Sequence, residues 1–211
     1  MQDIVLKNIN KSFGNHTVLD HLSLEIAAGD YVSITGESGK GKTTILNIIG
    51  MLDRPDSGTV QICGCKNPAF SSREAVRLRR YDVSYLFQNY GLIDTETVEK
   101  NLAIVLRFKK MSSTAKKRFI SGALAQVGLT GYEKRKIFTL SGGEQQRVAL
   151  AKIIVKSPKI ILADEPTGSL DEKNRDYVLR ILENFNREGK TVIVVTHDAF
   201  VASCAKRNIH L

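Results

Sequence analysis

No stretch of this sequence has the roughly 20 consecutive apolar residues that a membrane-crossing helix requires. Its opening, MQDIVLKNINKSFG, lacks the hydrophobic core of a secretory signal. The chain is therefore expected to stay in the cytoplasm. Low-complexity tracts and internal repeats are also missing, which excludes a disordered chain. Cysteine is scarce and unhelpfully spaced. Cys63, Cys65 and Cys204 are odd in number, and a single residue separates the first two where a zinc or redox CxxC needs two. They read as plain structural thiols, since cysteine commonly behaves as a small hydrophobe.

What is present is the composition of an ordinary globular protein. The 211 residues are 42% hydrophobic and 25% charged, enough for one sizeable core but short for two independent domains. The net charge of +9 is compatible with nucleic acid, anionic lipid or an anionic small ligand, and charge alone does not choose among them. The basic residues gather at Arg73 to Arg80 and Lys109 to Arg118, where solvated helix faces are an equally good reading.

Short strands are predicted at Ile4 to Ile9, before Gly29, at Tyr31 to Gly36 and at Thr59 to Gly64, each broken by turn residues. From Ser72 to about Ala151 the apolar spacing of three and four predicts helices. Two nearly continuous aliphatic runs follow, KIILAD (159–164) and TVIVVTHD (191–198), as expected of parallel strands covered on both faces. An amphipathic helix is predicted between them, so strand, helix and strand imply a right-handed crossover and an α/β core.

Three motifs carry chemistry. Gly36-Glu37-Ser38-Gly39-Lys40-Gly41-Lys42-Thr43 fits GxxxxGK[ST] and lies between a strand and a helix, as a phosphate loop must. Its glycines let the backbone curl so that N–H groups face phosphates, Lys42 reaches the β and γ phosphates, and Thr43 offers a hydroxyl to Mg²⁺. Gly36, Ser38, Gly39, Lys40, Gly41, Lys42, Thr43 and Thr44 are thus the candidate nucleotide-binding residues of this loop. Lys40 adds a cation where related loops often have a small polar residue. The strand ending in Asp164-Glu165 is the second half expected of such a site. Asp164 would hold the Mg²⁺ shell and Glu165 would polarise the attacking water. Alone, an acidic pair there is more often a helix N-cap. The third motif, Leu140-Ser141-Gly142-Gly143-Glu144-Gln145-Gln146-Arg147, puts a polar glycine turn before a helix, a second N-terminus able to hold an anion.

The order phosphate loop, LSGGEQQR, ILADEPTGSLD, then a strand ending in His resembles ABC (ATP-binding cassette) transporter nucleotide-binding subunits over essentially the whole chain. The resemblance implies an α/β P-loop core with an N-terminal antiparallel β subdomain. An α-helical subdomain would be inserted at residues 89–155, with residues 1–88 and 156–211 forming the rest. It implies ATP hydrolysis with Mg²⁺ and assigns roles by position. Phe13 resembles the aromatic that stacks on adenine, although a core Phe is the other reading. Gln88 resembles the glutamine that reaches the Mg²⁺ and the water, and His197 the histidine that contacts the γ-phosphate. Ser141, Gly142 and Gly143 would bind the ATP held by a second chain, and Asp171 would link the two sites of a homodimer.

Partners follow from the same resemblance: a homodimer formed on ATP binding, and an integral membrane permease that keeps the chain at the cytoplasmic face of the membrane, with no nucleic acid expected. Tyr90, Leu92, Ile93 and Val98 are apolar residues of an expected loop and would form part of a groove for a permease helix. ADEPTGSLD with the loop GMLDRPDSG is similar to the branch serving macrolide, lipoprotein and antimicrobial-peptide exporters. LFQNYGLIDTETVEKNL resembles ATPases of lactococcin-972-type bacteriocin export. Soluble ABC ATPases of DNA repair or translation, and subunits regulating cell division, are the rival readings. Related chains continue past a strand like RNIHL, so a C-terminal regulatory or dimer-stabilising extension is expected to be absent.

Overall fold

The computed structural model describes residues 2–168 and 170–211, so Ser169 of the GSLD motif lies outside the described residues. The predicted N-terminal strands are present, and the first two are longer than the sequence suggested. β1 (Gln2–Phe13) and β2 (His16–Ala27) pair antiparallel. With β4 (Ser57–Ile62) and β5 (Cys65–Lys66) they form a four-stranded sheet in the order β2-β1-β4-β5. A second, parallel sheet contains β3 (Tyr31–Thr35), β6 (Val83–Leu86), β7 (Ile160–Asp164), β8 (Thr191–Val195) and β9 (Arg207–His210), in the order β6-β7-β8-β3-β9.

β7 and β8 are buried along their whole length, the reason their sequences do not alternate with polar residues. The two faces still sort by period two. Ile160, Leu162, Ile193 and Val195 pack into a core shared with β1, β4 and the helix α1 (Lys42–Ile49). Ile161, Ala163, Val192 and Val194 pack into a second core on the opposite face. That core is built with α3 (Val98–Val105), α4 (Ser113–Gln126), α5 (Gly142–Lys156) and α6 (Glu172–Arg187).

One expectation is corrected. The helical stretch from Ser72 contains α2 (Arg73–Arg77) and a π-helical turn at Leu78–Asp82, but β6 then interrupts it. β6 is only four residues long, and its partner β7 lies far along the chain, so its pairing leaves no local signature. A short helix, α7 (Ala199–Ser203), precedes β9. Among the described residues no helix is long and apolar enough to cross a membrane. The cysteines are free, and burial pushes the Cys63 thiol up to about 11. No cluster of three or more His, Cys, Asp or Glu among the described residues could hold a metal ion.

Candidate functional site

Register in the parallel sheet decides what meets what. Ile34 of β3 and Asp164 of β7 both pair with Val195 of β8, and Leu86 of β6 pairs with Ala163. The segments leaving these strands therefore emerge side by side at the carboxyl edge of the sheet, where ligands of open α/β folds bind. Ser38, Gly39, Gly41, Lys42, Thr43, Thr44, Gln88, Asp164, Glu165 and His197 accordingly line one cleft of about 410 Å³, in which Val18 and Val195 are the apolar neighbours.

The loop after β3 is shaped by glycine. Gly41 is the N-cap of α1 at φ 85°, and a Cβ there would lie 2.6 Å from a Leu19 methyl carbon, so nothing larger fits. With no side-chain cap, the first N–H groups of α1 are left for an anionic ligand. Lys42 is buried, and its ammonium donates to the carbonyls of Gly36 at 2.8 Å and Glu37 at 2.7 Å, which anchors the cation inside its own loop. Lys40 is exposed and 4.0 Å from Glu37, outside the lining of the cleft.

Asp164 is held at both carboxylate oxygens. Thr43 Oγ1 donates to Oδ1 at 3.2 Å, and the Tyr85 hydroxyl lies 3.3 Å from Oδ2 and 3.2 Å from the side-chain oxygen of Asn47. Burial raises the Asp164 carboxyl above its ordinary value, opposed by these hydroxyl hydrogen bonds. Burial, followed by the charge of Asp164 and the hydrogen bond to it, pushes the Tyr85 phenol up, so the hydroxyl remains a donor. The oxygen donors here, one carboxylate, one hydroxyl and the nearby Gln88 amide, suit a hard divalent cation whose remaining ligands are water and phosphate.

Glu165 occupies the left-handed region at φ 43°, an uncommon place for a residue with a Cβ. Its N–H donates to Val195 O at 3.0 Å, and its carboxylate accepts from Thr196 Oγ1 at 3.2 Å and from the His197 N–H at 3.1 Å. His197 Nδ1 lies 2.8 Å from the same oxygen, while 75% of the imidazole is exposed. Strain of ~1–3 kcal/mol is tolerated because the surrounding bonds over-determine the position. The carboxylate is thereby aimed into the cleft.

The other predicted residues lie elsewhere. Phe13, 54% exposed at the β1–β2 hairpin, is not a core residue. Gly36 sits beside the cleft, against Leu211. Ser141 caps α5 and forms a reciprocal capping box with Glu144, whose carboxylate is also held by the Tyr132 hydroxyl at 2.7 Å. Gly142 and Gly143 leave room for the Tyr90 hydroxyl and the Asn174 amide, each 3.0 Å from where a Cβ would be. Asp171 caps α6 by accepting from Asn174, which holds its carboxyl below the ordinary value. Neither Ser141, Gly142, Gly143 nor Asp171 lines the cleft of its own chain.

The expected groove residues divide similarly. Tyr90 lines a groove between the core and the helices, but Leu92 is half-buried against the second core, Ile93 is exposed away from that groove, and Val98 is wholly buried in α3. The buried Asn101 fixes this arrangement by bonding both the N–H and the carbonyl of Ile93. Sequence reading missed Tyr85 and Tyr132, whose roles come from distant partners.

The chain is similar to known proteins over most of its length. The family model described as ABC transporter matches residues 19–168. The uncharacterized ABC transporter ATP-binding protein YknY of Bacillus subtilis (strain 168) is 40% identical over 208 residues, covering 97% of this chain and 90% of that one. The macrolide export ATP-binding/permease protein MacB of Rhodopseudomonas palustris (strain BisB18) is 42% identical over 99% of this chain, which spans only 32% of that relative's length. Among solved structures, the dimeric structure of MJ0796, a bacterial ABC transporter cassette, superposes with a TM-score of 0.91 at 40% identity, covering 99% of this chain and 94% of that one. A post-hydrolysis state of the same cassette, bound to ADP and Pi, gives 0.90 at 39% identity. With a phosphate loop, two acids and a histidine in one cleft on this fold, the chain belongs to the ABC transporter family and is one of its ATP-hydrolysing nucleotide-binding domains.

Proposed function

We propose that two copies of this chain close around two ATP molecules and so drive a separate membrane permease at the cytoplasmic face of the membrane. The carrying observation is that one chain holds Lys42, Asp164, Glu165 and His197 in a single cleft while Ser141, Gly142, Gly143 and Asp171 face elsewhere. A helix N-terminus able to hold an anion is thus present without a phosphate loop beside it, and in this reading a second chain related by two-fold symmetry supplies the loop. The similar cassette MJ0796 is described as dimeric.

In this reading Lys42 and the first turn of α1 bind the phosphates, Lys40 adds positive potential at the loop, and Phe13 stacks on the adenine. Thr43, Asp164 and Gln88 would hold Mg²⁺, which when bound neutralises charge developing on the phosphoryl oxygens. Glu165 accepts a proton from the water that attacks the γ-phosphorus, and His197 orients Glu165 and meets the γ-phosphate. Closure moves α3, α4 and α5, and the permease seated against them changes conformation. The likeness to MacB supports export, of a peptide, antibiotic or lipid-like substrate, and the segment Leu86–Leu102 carries the finer reading of bacteriocin export.

Glu165→Gln keeps the hydrogen bonds and loses the base, costing roughly 10²- to 10⁴-fold in hydrolysis. By size-exclusion chromatography this variant should be a dimer with ATP and a monomer without it. A monomer in both conditions contradicts ATP-driven closure.

A further inference from the structure

From Lys100 to Tyr132 the chain carries seven Lys and Arg residues and no Asp or Glu, in a protein whose net charge is +9. The fold joins this stretch to the other basic run of the sequence. Arg80, at the end of the run that begins at Arg73, lies with its guanidinium carbon 3.9 Å from the centre of the Phe108 ring, and the Tyr81 hydroxyl donates to Phe108 O at 3.5 Å. One residue on, the Lys109 ammonium sits 5.7 Å from the centre of the Phe119 ring, so the π-helical turn, the α3–α4 connection and α4 share one surface. Arg107 and Lys110 flank these residues in the connection, and Lys116 stands one turn before Phe119 on α4. Among the described residues, none of Arg80, Arg107, Lys110 and Lys116 is ion-paired with a carboxylate. Acids that adjoin this region in the chain are engaged elsewhere. Asp82 is buried and held by Arg77 at 2.8 Å and Lys159 at 3.4 Å, and Glu96 pairs with Lys100 at 2.7 Å. Glu99 and Glu133 line a separate hollow with Lys117 and Arg118.

Apolar side chains interleave with these cations, and Ile104, Phe108 and Phe119 are all exposed. A free phosphate would meet the cations and leave the apolar groups wet. Single-stranded nucleic acid stacks its bases on aromatic faces, but a cation already sits over one face of each ring, and the aliphatic Ile104 offers a base nothing to stack on. A bilayer with anionic headgroups matches both components. Its headgroups attract the cations, and its headgroup–acyl boundary takes up apolar side chains. We propose that this surface rests on the membrane, with Arg80, Arg107, Lys110 and Lys116 on anionic lipid headgroups and Ile104, Phe108 and Phe119 at the boundary beneath them. The contact is made by this chain's own residues and stands independently of the permease reading.

The test is co-flotation of the intact chain with phosphatidylcholine vesicles, with or without phosphatidylglycerol, at low ionic strength. Binding should require phosphatidylglycerol and weaken as salt is raised. Each Lys or Arg at an anionic surface contributes about fivefold to partition, so Arg107→Gln/Lys110→Gln should bind roughly 25-fold more weakly. The same loss of charge on the N-terminal sheet, Lys7→Gln/Lys66→Gln, should leave binding within about threefold of the wild type. Phe108→Ser, at unchanged charge, should cost about fivefold or more. ATP turnover should be unchanged in all three variants, because none of these residues lines the nucleotide cleft. Equal losses for the two double variants would reduce the effect to net charge and overturn the patch. Binding that is indifferent to phosphatidylglycerol, or no binding to either vesicle, overturns it as well. Wild-type binding by Phe108→Ser overturns the insertion of the apolar groups. Capture by single-stranded DNA without capture by phosphatidylglycerol vesicles assigns the surface to nucleic acid and overturns the lipid contact.

Discussion

Asp164 illustrates how much of a site is decided by single side chains outside its motifs. Thr43 holds one oxygen and is part of the phosphate loop, whereas Tyr85 approaches the other from a strand 79 residues earlier. Removing that hydroxyl leaves the stacked ring in place and takes away one hydrogen bond to a carboxylate, an interaction worth ~1–2 kcal/mol. Tyr85→Phe should therefore raise the Mg²⁺ concentration giving half-maximal phosphate release by about five- to thirtyfold, with little change in thermal stability. An unchanged Mg²⁺ dependence would mean that Tyr85 does not position Asp164. Lys42, Thr43, Asp164 and Glu165 were legible because each sits in a contiguous motif whose loop or strand places it. Tyr85, Asn47 and Tyr132 were not, since a lone aromatic or amide reads the same in a core as beside a carboxylate. Phe13 left two readings open at the level of sequence, and only its exposure on the hairpin excludes the core one.

At the level of elements, the strands with continuous aliphatic runs were readable from their composition, and so was the start of α5 at the Ser141 glycine turn, although the capping box between Ser141 and Glu144 came only with the structure. β6 was not, because its four residues are specified by pairing with β7. Nor was the far end of α5, where Lys156 reads as an ordinary basic C-terminal residue but turns inward to the carbonyls of Arg79 and Val83. That burial has a measurable sign. The folded value of about 8 lies below the ordinary 10.5, so between these limits the unfolded chain binds the proton more tightly and stability rises with pH. Lys156→Met abolishes the effect. In denaturant titrations its stability relative to the wild type should fall by on the order of 2–3 kcal/mol from pH 7 to pH 10.5. A pH-independent difference would mean that the ammonium is solvated.

For the whole molecule, the two-core architecture leaves the phosphate-loop cleft and the α5 N-terminus as separate features of one chain. The sequence contained both motifs and their order, and the family resemblance implied that they act across two chains; the physical basis for one copy keeping them apart, the packing of α5 between α3, α4, α6 and the sheet, was not legible in it. The central claim is that each ATP lies between Lys42 of one chain and Ser141 of another. Two-fold symmetry makes this a matter of arithmetic. Dimers of a Lys42→Ala chain have no intact site, and neither do dimers of a Ser141→Arg chain, whereas the mixed dimer has one doubly damaged site and one wholly intact site. With Glu165→Gln added to both chains to slow opening, and a different fluorophore on each, energy transfer on addition of ATP reads the mixed dimer directly. The account predicts ATP-dependent transfer in the mixture and no ATP-dependent association of either variant alone. Variants that associate no better together than apart would contradict it, and would require the α5 N-terminus to act within its own chain.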